Sequence, residues 1–343
     1  MPVLAVVLAI EVAASVGGLD SYEHLLPAVL VQSDDPVFGE GEHDDASTQA
    51  LVLLAARAAG DAPTAESARA FLIGGLRPQG WGMDWTWDPF SDGTLTVAGT
   101  PFATTTAIAI DALLSTGLDD GEARQIGEVL TTWAEDAWSD GYYWYSLEVN
   151  DAIETPTVSA MMAGATARFL AEYGDVLDAD DAALLRRRVD DTLARLAATH
   201  DEHLRWAYSA RQSIVNDLAN HVKILWGAER ARDAGFEVAW TRDQAIDSIN
   251  RYGSVYPADI EQTPSMLGRR RSPWQTSGTG SALAFSSTWG GDVRRWANAT
   301  CETLAITPRV PRFDAHALLG MAVSGLCECR ARSLPRALPI SSC

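Results

Sequence analysis

The stretch DGYYWYSLEVNDAIETPTVSAMMAGATARFLAEY, residues 140 to 173, decides the fold. Its first half is a loop carrying Tyr142, Tyr143, Trp144, Tyr145, Asn150 and Asp151. Its second half opens with Thr155-Pro156 and then runs small and apolar almost all the way round. A helix with no polar face must be buried on every side. The same order of features returns at residues 204 to 232, where Trp206, Tyr208, Ser209, Asn216 and Asp217 precede the segment LANHVKILWGAER. An aromatic loop feeding a buried helix is therefore the repeating unit of the chain.

Earlier copies stand at STQALVLLAARAAG, from Ser47, and at FATTTAIAIDALLSTG, which follows Thr100-Pro101. Proline suits a helix start because its missing N–H has no partner there in any case. Buried helices are expected near Ser47, Phe102, Pro156, Asn216, Ser281 and Asp314, and more polar, amphipathic partners near Thr64, Asp119, Asp178, Thr241 and Asp292. The first intervals fall in the range of about 40 to 60 residues of a helical-hairpin repeat. The apolar opening PVLAVVLAIEVAASVGG lacks a positive n-region and contains Glu11, so it reads as a buried helix, and as a sixth partner, rather than a signal peptide. No run of strand period competes. The pattern predicts an all-α fold, an (α/α)6 toroid of helical hairpins, with residues 1–326 as a single domain and a basic, helix-poor, poorly structured tail at 327–343. An open solenoid would want polar caps on its end repeats, and the apolar first helix argues for closure.

Hydrophobic residues make up 47% of the chain, yet no apolar run reaches the roughly 20 residues of a membrane span. The formal net charge is -20, and Lys223 is the single lysine among 26 basic residues. Such acidity excludes nucleic acid as a natural partner, since phosphate repels it. An acid excess with almost no lysine also resembles proteins of salt-in halophiles. Cys301, Cys327, Cys329 and Cys343 crowd the last fifth of the chain and form no disulfide framework, so they read as unligated thiols in a cytoplasmic protein. No metal or cofactor is expected. Oligomeric state is not legible.

In such a toroid the N-termini of the inner helices converge on one end of the cavity, each with about half a unit of positive charge. The aromatics collect in the loops leading to them: Trp81, Trp85, Trp87 and Phe90; Tyr142, Tyr143, Trp144 and Tyr145; Trp206 and Tyr208; Trp274. Aromatic rims with acids and amides among them suit sugar rings, whose C–H faces pack on indole. The alternative is that these rings plug the barrel as core. Trp85, Trp87, Tyr143, Trp144, Tyr145, Asn150, Trp206, Asn216 and Trp274 are the candidate substrate contacts, with Trp144 and Trp206 at equivalent loop positions. Asn150-Asp151 and Asn216-Asp217 also suit N-caps. His221 lies four residues after Asp217, on the same helix face, and a histidine on an apolar helix faces either a polar partner or a cavity. Asp178-Ala179-Asp180-Asp181 has a D-x-D-D form, but at a helix start its acids serve the dipole.

The alternation between about Ser47 and Leu326 resembles the α/α-toroid superfamilies: six-hairpin glycosidases, the C-terminal domain of glucuronyl C5-epimerases and, more distantly, terpenoid cyclases and prenyltransferases. Trp206 to His221 is similar to hairpin starts in the epimerase type, and FLIGGLRPQGWG, Phe71 to Gly82, to a degenerate QW repeat of the cyclases. The resemblance implies action on an acidic, uronate-containing glycan. For an epimerase or lyase, His221 is the expected base and Tyr208 the acid; for a hydrolase, Asp88, Asp151 and Asp217 are the available carboxylates. A cyclase-like toroid and a non-catalytic glycan-binding or scaffold protein are the other readings.

Overall fold

The computed structural model describes residues 25–26, 29, 46–82, 101–147, 155–208, 216–252, 273–306 and 311–325. The helices run in chain order Ala46–Ala59 (α1), Ala62–Gly74 (α2), Ala103–Leu114 (α3), Asp120–Asp136 (α4), Pro156–Tyr173 (α5), Ala179–Thr199 (α6), Leu218–Asp233 (α7), Arg242–Arg251 (α8), Pro273–Trp289 (α9), Val293–Ile306 (α10) and Pro311–Ser324 (α11). Consecutive odd-numbered helices pack side by side, and α11 closes back onto α1. Six inner helices thus form a closed ring, with the even-numbered helices outside it. The all-α (α/α)6 toroid expected from the sequence is what the chain builds.

Burial separates the two layers as the sequence patterns require. In α5, 14 of 18 residues are buried, whereas α6 buries only 5 of 21, on one stripe. Caps fix the starts of the outer helices. Asp119 and Glu122 form a capping box on α4, and Thr241 and Gln244 form another on α8. The D-x-D-D sequence stands at the start of α6 as expected, with Asp180 and Asp181 in the first turn, and Asp178 is the N-cap, accepting from the backbone N–H groups of Asp180 and Asp181. Outer helix α2 is tied to the next hairpin by Arg69, which reaches Glu122 at 2.6 Å and the Thr116 hydroxyl at 3.1 Å.

The inner ring is tight because glycines meet glycines. A Cβ on Gly227 of α7 would lie 2.0 Å from the carbonyl oxygen of Ala160 in α5, and one on Gly280 of α9 would lie 2.5 Å from the backbone N of Ala317 in α11. These close approaches explain one departure from the sequence reading. A helix start near Ser281 was expected, yet α9 begins at Pro273 and runs through the TSGTGS stretch before it. Small residues there are required by packing against α11. The remaining starts lie within about a turn of expectation, Pro311 rather than Asp314 being one.

Three further expectations are corrected or left open. A two-residue antiparallel pair, Trp138–Ser139 (β1) with Tyr142–Tyr143 (β2), is present, turned by Asp140 and Gly141 at positive φ. Asp-Gly is a favoured two-residue hairpin loop, a signal hidden inside a helical pattern. Cys301 is disulfide-bonded, its partner lying outside the described residues, which overturns the reading of four unligated thiols; spacing says nothing of which helix a distant cysteine meets. The expected N-terminal helix, residues 2–18, and the tail at 327–343 lie outside the described residues, while Leu25 and Val29, which follow that helix, are buried in the core. Among the described residues no helix is long and apolar enough to cross a membrane.

Candidate functional site

The loops that precede α5 and α7 bring three sequence-selected residues together. The Tyr145 and Tyr208 hydroxyls are 2.9 Å apart, beside Asp217 at the N-cap of α7. Tyr145 is fixed through its backbone, whose carbonyl accepts from Ala103 N–H at the start of α3, and through its ring, which stacks on Phe102 at 5.2 Å. Asp217 accepts from the backbone N–H of Asn220 at 2.9 Å and from the Asn220 side-chain amide at 3.1 Å. It is both cap and rim carboxylate. Burial pushes the Tyr208 hydroxyl up to about 12, Asp217 adds to the rise, and the bond from Tyr145 opposes it. Burial and the neighbouring Tyr208 raise Tyr145 well above the ordinary tyrosine value. Both phenols are therefore protonated donors at neutral pH.

Other candidates belong to the core. Trp206 is buried, donates its indole N–H to the Leu196 carbonyl at 2.9 Å, and packs edge-on against Trp240. Tyr143 is fully buried, and burial raises its pKa. Asn216 is buried too, its backbone N–H and side-chain amide stapling the loop to the Trp206 and Ala207 carbonyls. Each corrects an expected substrate contact, for the reason weighed at the outset: packing and lining aromatics read alike in sequence.

His221 is the main correction. It faces outer helix α8 rather than the cavity, with Nε2 3.0 Å from Ser248 Oγ and its ring stacked on Tyr252 at 4.7 Å. Ser248 gives its one proton to the His203 carbonyl at 2.8 Å, so Nε2 of His221 must carry the hydrogen of that pair. Burial pushes this imidazole down to about 3, with Arg205 acting in the same direction. A neutral histidine sealed between two helices is not available as the base. Helical spacing to Asp217 could not say which way the ring turned.

Trp144 is half-buried against the core, and its shielded indole N–H makes no hydrogen bond. Trp85, Trp87, Asp88, Asn150 and Asp151 lie outside the described residues, as does the side chain of Trp274 in the first turn of α9.

Below the Tyr145–Tyr208 pair a narrow shaft follows the barrel axis. All six inner helices line it, from the level of Lys223, Ser281 and His316 to that of Asp111 and Arg230. Val222 to Arg230 spans eight residues, about 12 Å of helix. The cavity volume is about 50 Å³ and its walls are mainly Leu, Ile, Ala, Met and Trp226. At its far end, near the C-terminal ends of α3, α5 and α7, the Asp111 carboxylate pairs with Arg168, lies 3.4 Å from Arg230 and accepts from the Trp226 indole at 3.4 Å. At its near end, Ser281 Oγ lies 3.2 Å from His316 Nδ1. Burial and the adjacent Lys223 push the His316 imidazole well below its ordinary value. Asn220, Lys223 and Asp111 escaped the sequence analysis as site residues. A usable signal existed for two of them: Asp111 is the lone charge on an otherwise apolar inner helix, and Lys223 is the single lysine of the chain.

The closed ring, its inner-helix mouth and polar groups at both ends of the shaft define an (α/α)6 toroid of six-hairpin architecture. No family description and no curated protein matches the sequence. Solved structures do match in fold. An α-amylase from Clostridium perfringens superposes with a TM-score of 0.58 at 9% identity, covering 87% of this chain and 96% of that one. A reducing-end-xylose releasing exo-oligoxylanase gives 0.54 at 12% identity over 89% and 91%. A D-mannose isomerase gives 0.52 at 12% identity over 88% and 96%. At these identities the likeness is one of fold.

Proposed function

We propose that the protein is a carbohydrate-processing enzyme whose substrate, an acidic, uronate-containing glycan, binds at the mouth formed by the inner-helix N-termini. The observation that carries this reading is the Tyr145–Tyr208 hydroxyl pair at 2.9 Å beside Asp217, above a shaft of only about 50 Å³. Pockets for whole ligands run from about 300 to 1,000 Å³, so a sugar ring belongs at the mouth rather than in the shaft. The same volume weighs against a cyclase-like toroid, which needs a deep apolar chamber.

Tyr208 is the proton donor in this scheme. Its pKa of about 12 keeps it protonated at working pH, and Tyr145 is oriented to steady the phenolate that forms when it gives the proton up. Asp217 is the carboxylate on the same rim, and the helix N-termini favour negative charge in the substrate. With His221 turned away, an epimerase or lyase must take its base from the mouth carboxylates, Asp217 in first place. In a hydrolase, Asp217 would act with Asp88 or Asp151, about 5 to 5.5 Å apart for retention or roughly 6.5 to 9.5 Å for inversion. The similarity in fold to amylase, oligoxylanase and mannose isomerase structures supports sugar chemistry without choosing the reaction.

The test is activity of the wild type, Tyr208→Phe and Asp217→Asn on a panel of uronate-containing and neutral oligosaccharides. Reducing-end release reads hydrolysis, and deuterium incorporation at C5 from heavy water reads proton abstraction. Loss of the Tyr208 hydroxyl should lower kcat by about 10² to 10⁴, the usual scale of acid–base assistance. Full activity in folded Tyr208→Phe would sink the assignment, and no product from any glycan would leave the enzyme reading without support.

A further inference from the structure

Asn220 carries a side chain that the helix around it does not need. It stands in the first turn of inner helix α7 among Leu218, Ala219, Val222, Ile224 and Leu225, and only 8% of it is exposed. Asparagine is a poor helix former, and burying its amide is costly unless the amide is bonded. The N-cap of α7 does not call for it either. Asp217 Oδ1 accepts from the backbone N–H of Asn220 at 2.9 Å, and every residue except proline supplies that group. The amide makes a separate contact, in which Nδ2 donates to Asp217 Oδ2 at 3.1 Å. Both oxygens of this carboxylate are therefore held from one residue. Asn220 also lies one turn before Lys223, on the side of α7 that lines the shaft, so this clamp sits at the mouth end of the axis-facing stripe.

A backbone N–H and an amide NH2 have protons to give and accept none, so the two contacts suit Asp217 in its ionised form. Hydrogen bonds to a charged form favour it, while burial opposes it. Asp217 is itself buried, and the Asn220 amide works against that burial together with the partial positive charge at the N-terminus of α7. Bonds at both oxygens also stop the carboxylate turning about its Cβ–Cγ bond, and each oxygen keeps a second lone pair for another proton. The titratable neighbours are driven in the opposite sense. Tyr145 and Tyr208, from the loops before α5 and α7, are buried phenols that burial and the charge of Asp217 both hold in the protonated form. Environments that push neighbouring groups apart in this way divide acid from base.

We propose that Asn220 is a positioning residue that keeps Asp217 ionised and fixed in plane, so that Asp217 enters the reaction as the proton acceptor and Tyr208 as the donor. This rests on the sugar-processing reading above and adds to it the roles of the two groups. The proton that the carboxylate takes, from a substrate carbon or an attacking water, is matched by the one that Tyr208 gives up. Turnover closes when the carboxyl group releases its proton to solvent and the phenolate regains one.

The experiment compares wild type, Asn220→Ala and Asn220→Asp in two measurements on the whole protein. Asn220→Ala keeps the backbone N–H and so the cap, and removes only the amide; Asn220→Asp keeps the size, loses the donor and sets a second carboxylate against the first. Carbon-13 NMR of labelled aspartate carboxyls, with Asp217→Asn to assign the signal, follows Asp217 from pH 7 downward and needs no substrate. Its proton affinity should rise about threefold or more in Asn220→Ala, and further in Asn220→Asp, where like charges adjoin. The second measurement is the pH profile on an oligosaccharide that the wild type turns over. In Asn220→Ala the acid limb should move to higher pH with the carboxyl titration, and kcat should fall about tenfold with KM within about twofold. A purely structural amide would lower the melting temperature and leave both titrations in place. An unchanged Asp217 titration in folded Asn220→Ala overturns the positioning role and leaves the sugar reading standing, and Asn220→Ala alone decides this if Asn220→Asp does not fold. A wild-type Asp217 that is protonated at pH 7 overturns its role as acceptor. A shifted titration in a protein that turns over no glycan upholds the clamp on Asp217 and removes the reaction assigned to it.

Discussion

Replacing Asp111 with Asn tests whether the far end of the barrel is locked by charge. Asp111 is a buried carboxylate flanked by Arg168 and Arg230, whose side chains keep 15% and 21% of their exposure. Burial alone would raise its pKa, but the two guanidiniums, with hydrogen bonds from Arg168 and Trp226, outweigh that and hold it below the ordinary carboxylate value. Asn keeps the shape and removes the charge, leaving two half-buried cations facing an amide. Breaking a fully buried pair costs about 3 to 5 kcal/mol. Two features reduce the cost here: Arg168 keeps Glu172 at 3.1 Å, and Arg230 keeps the faces of Trp226 and Trp289 at 5.1 and 5.4 Å. About 3 kcal/mol is therefore expected, which at roughly 2 to 4 °C per kcal/mol lowers the melting temperature by about 6 to 12 °C. Because the folded pKa is depressed, the carboxylate's contribution is complete above the unfolded value of about 3.9 and is lost as pH falls through the folded one. The variant should therefore lose stability at neutral pH and show a shallower acid limb. Differential scanning calorimetry from pH 7 down to pH 2 reads both. A melting temperature within 1 °C of wild type at pH 7 would refute the lock.

Trp206→Ala should cost about 3 to 5 kcal/mol of stability, because its buried indole holds the Leu196 carbonyl; a chemical-denaturation midpoint near that of wild type would return this ring to the list of sugar contacts. Gly227→Ala should destabilise despite alanine's better helix propensity, since its Cβ meets the Ala160 backbone at 2.0 Å, whereas Gly74→Ala at the open end of α2 has nothing within 4 Å and should gain up to about 1 kcal/mol. The two melting temperatures should therefore move in opposite directions, and a shift of the same sign in both would contradict the packing argument. With a net charge of -20, the protein should lose helical circular dichroism in dilute buffer, where repulsion is unscreened over about 30 Å at 0.01 M; an unchanged spectrum there would remove the comparison with halophile surfaces.

The sequence by itself determined the architecture. Apolar-all-round segments such as residues 156 to 173 have no stable place except inside a ring, and amphipathic ones such as 179 to 199 have none except on its outside. The Asp217 cap was legible as well, because capping is a contact within four residues of chain. Tertiary structure alone decided the direction of each side chain. Periodicity put His221 and Asp217 on one helix face, but a face spans neighbours on both layers, and the ring turned to Ser248 and Tyr252 rather than to the axis. Trp206 and Tyr208, two residues apart in one loop, parted in the same way, one into the core and the other to the hydroxyl pair with Tyr145. The Asp111, Arg168 and Arg230 cluster joins three helices more than 50 residues apart in places. No local pattern encodes such a meeting, since it exists only once the ring has closed.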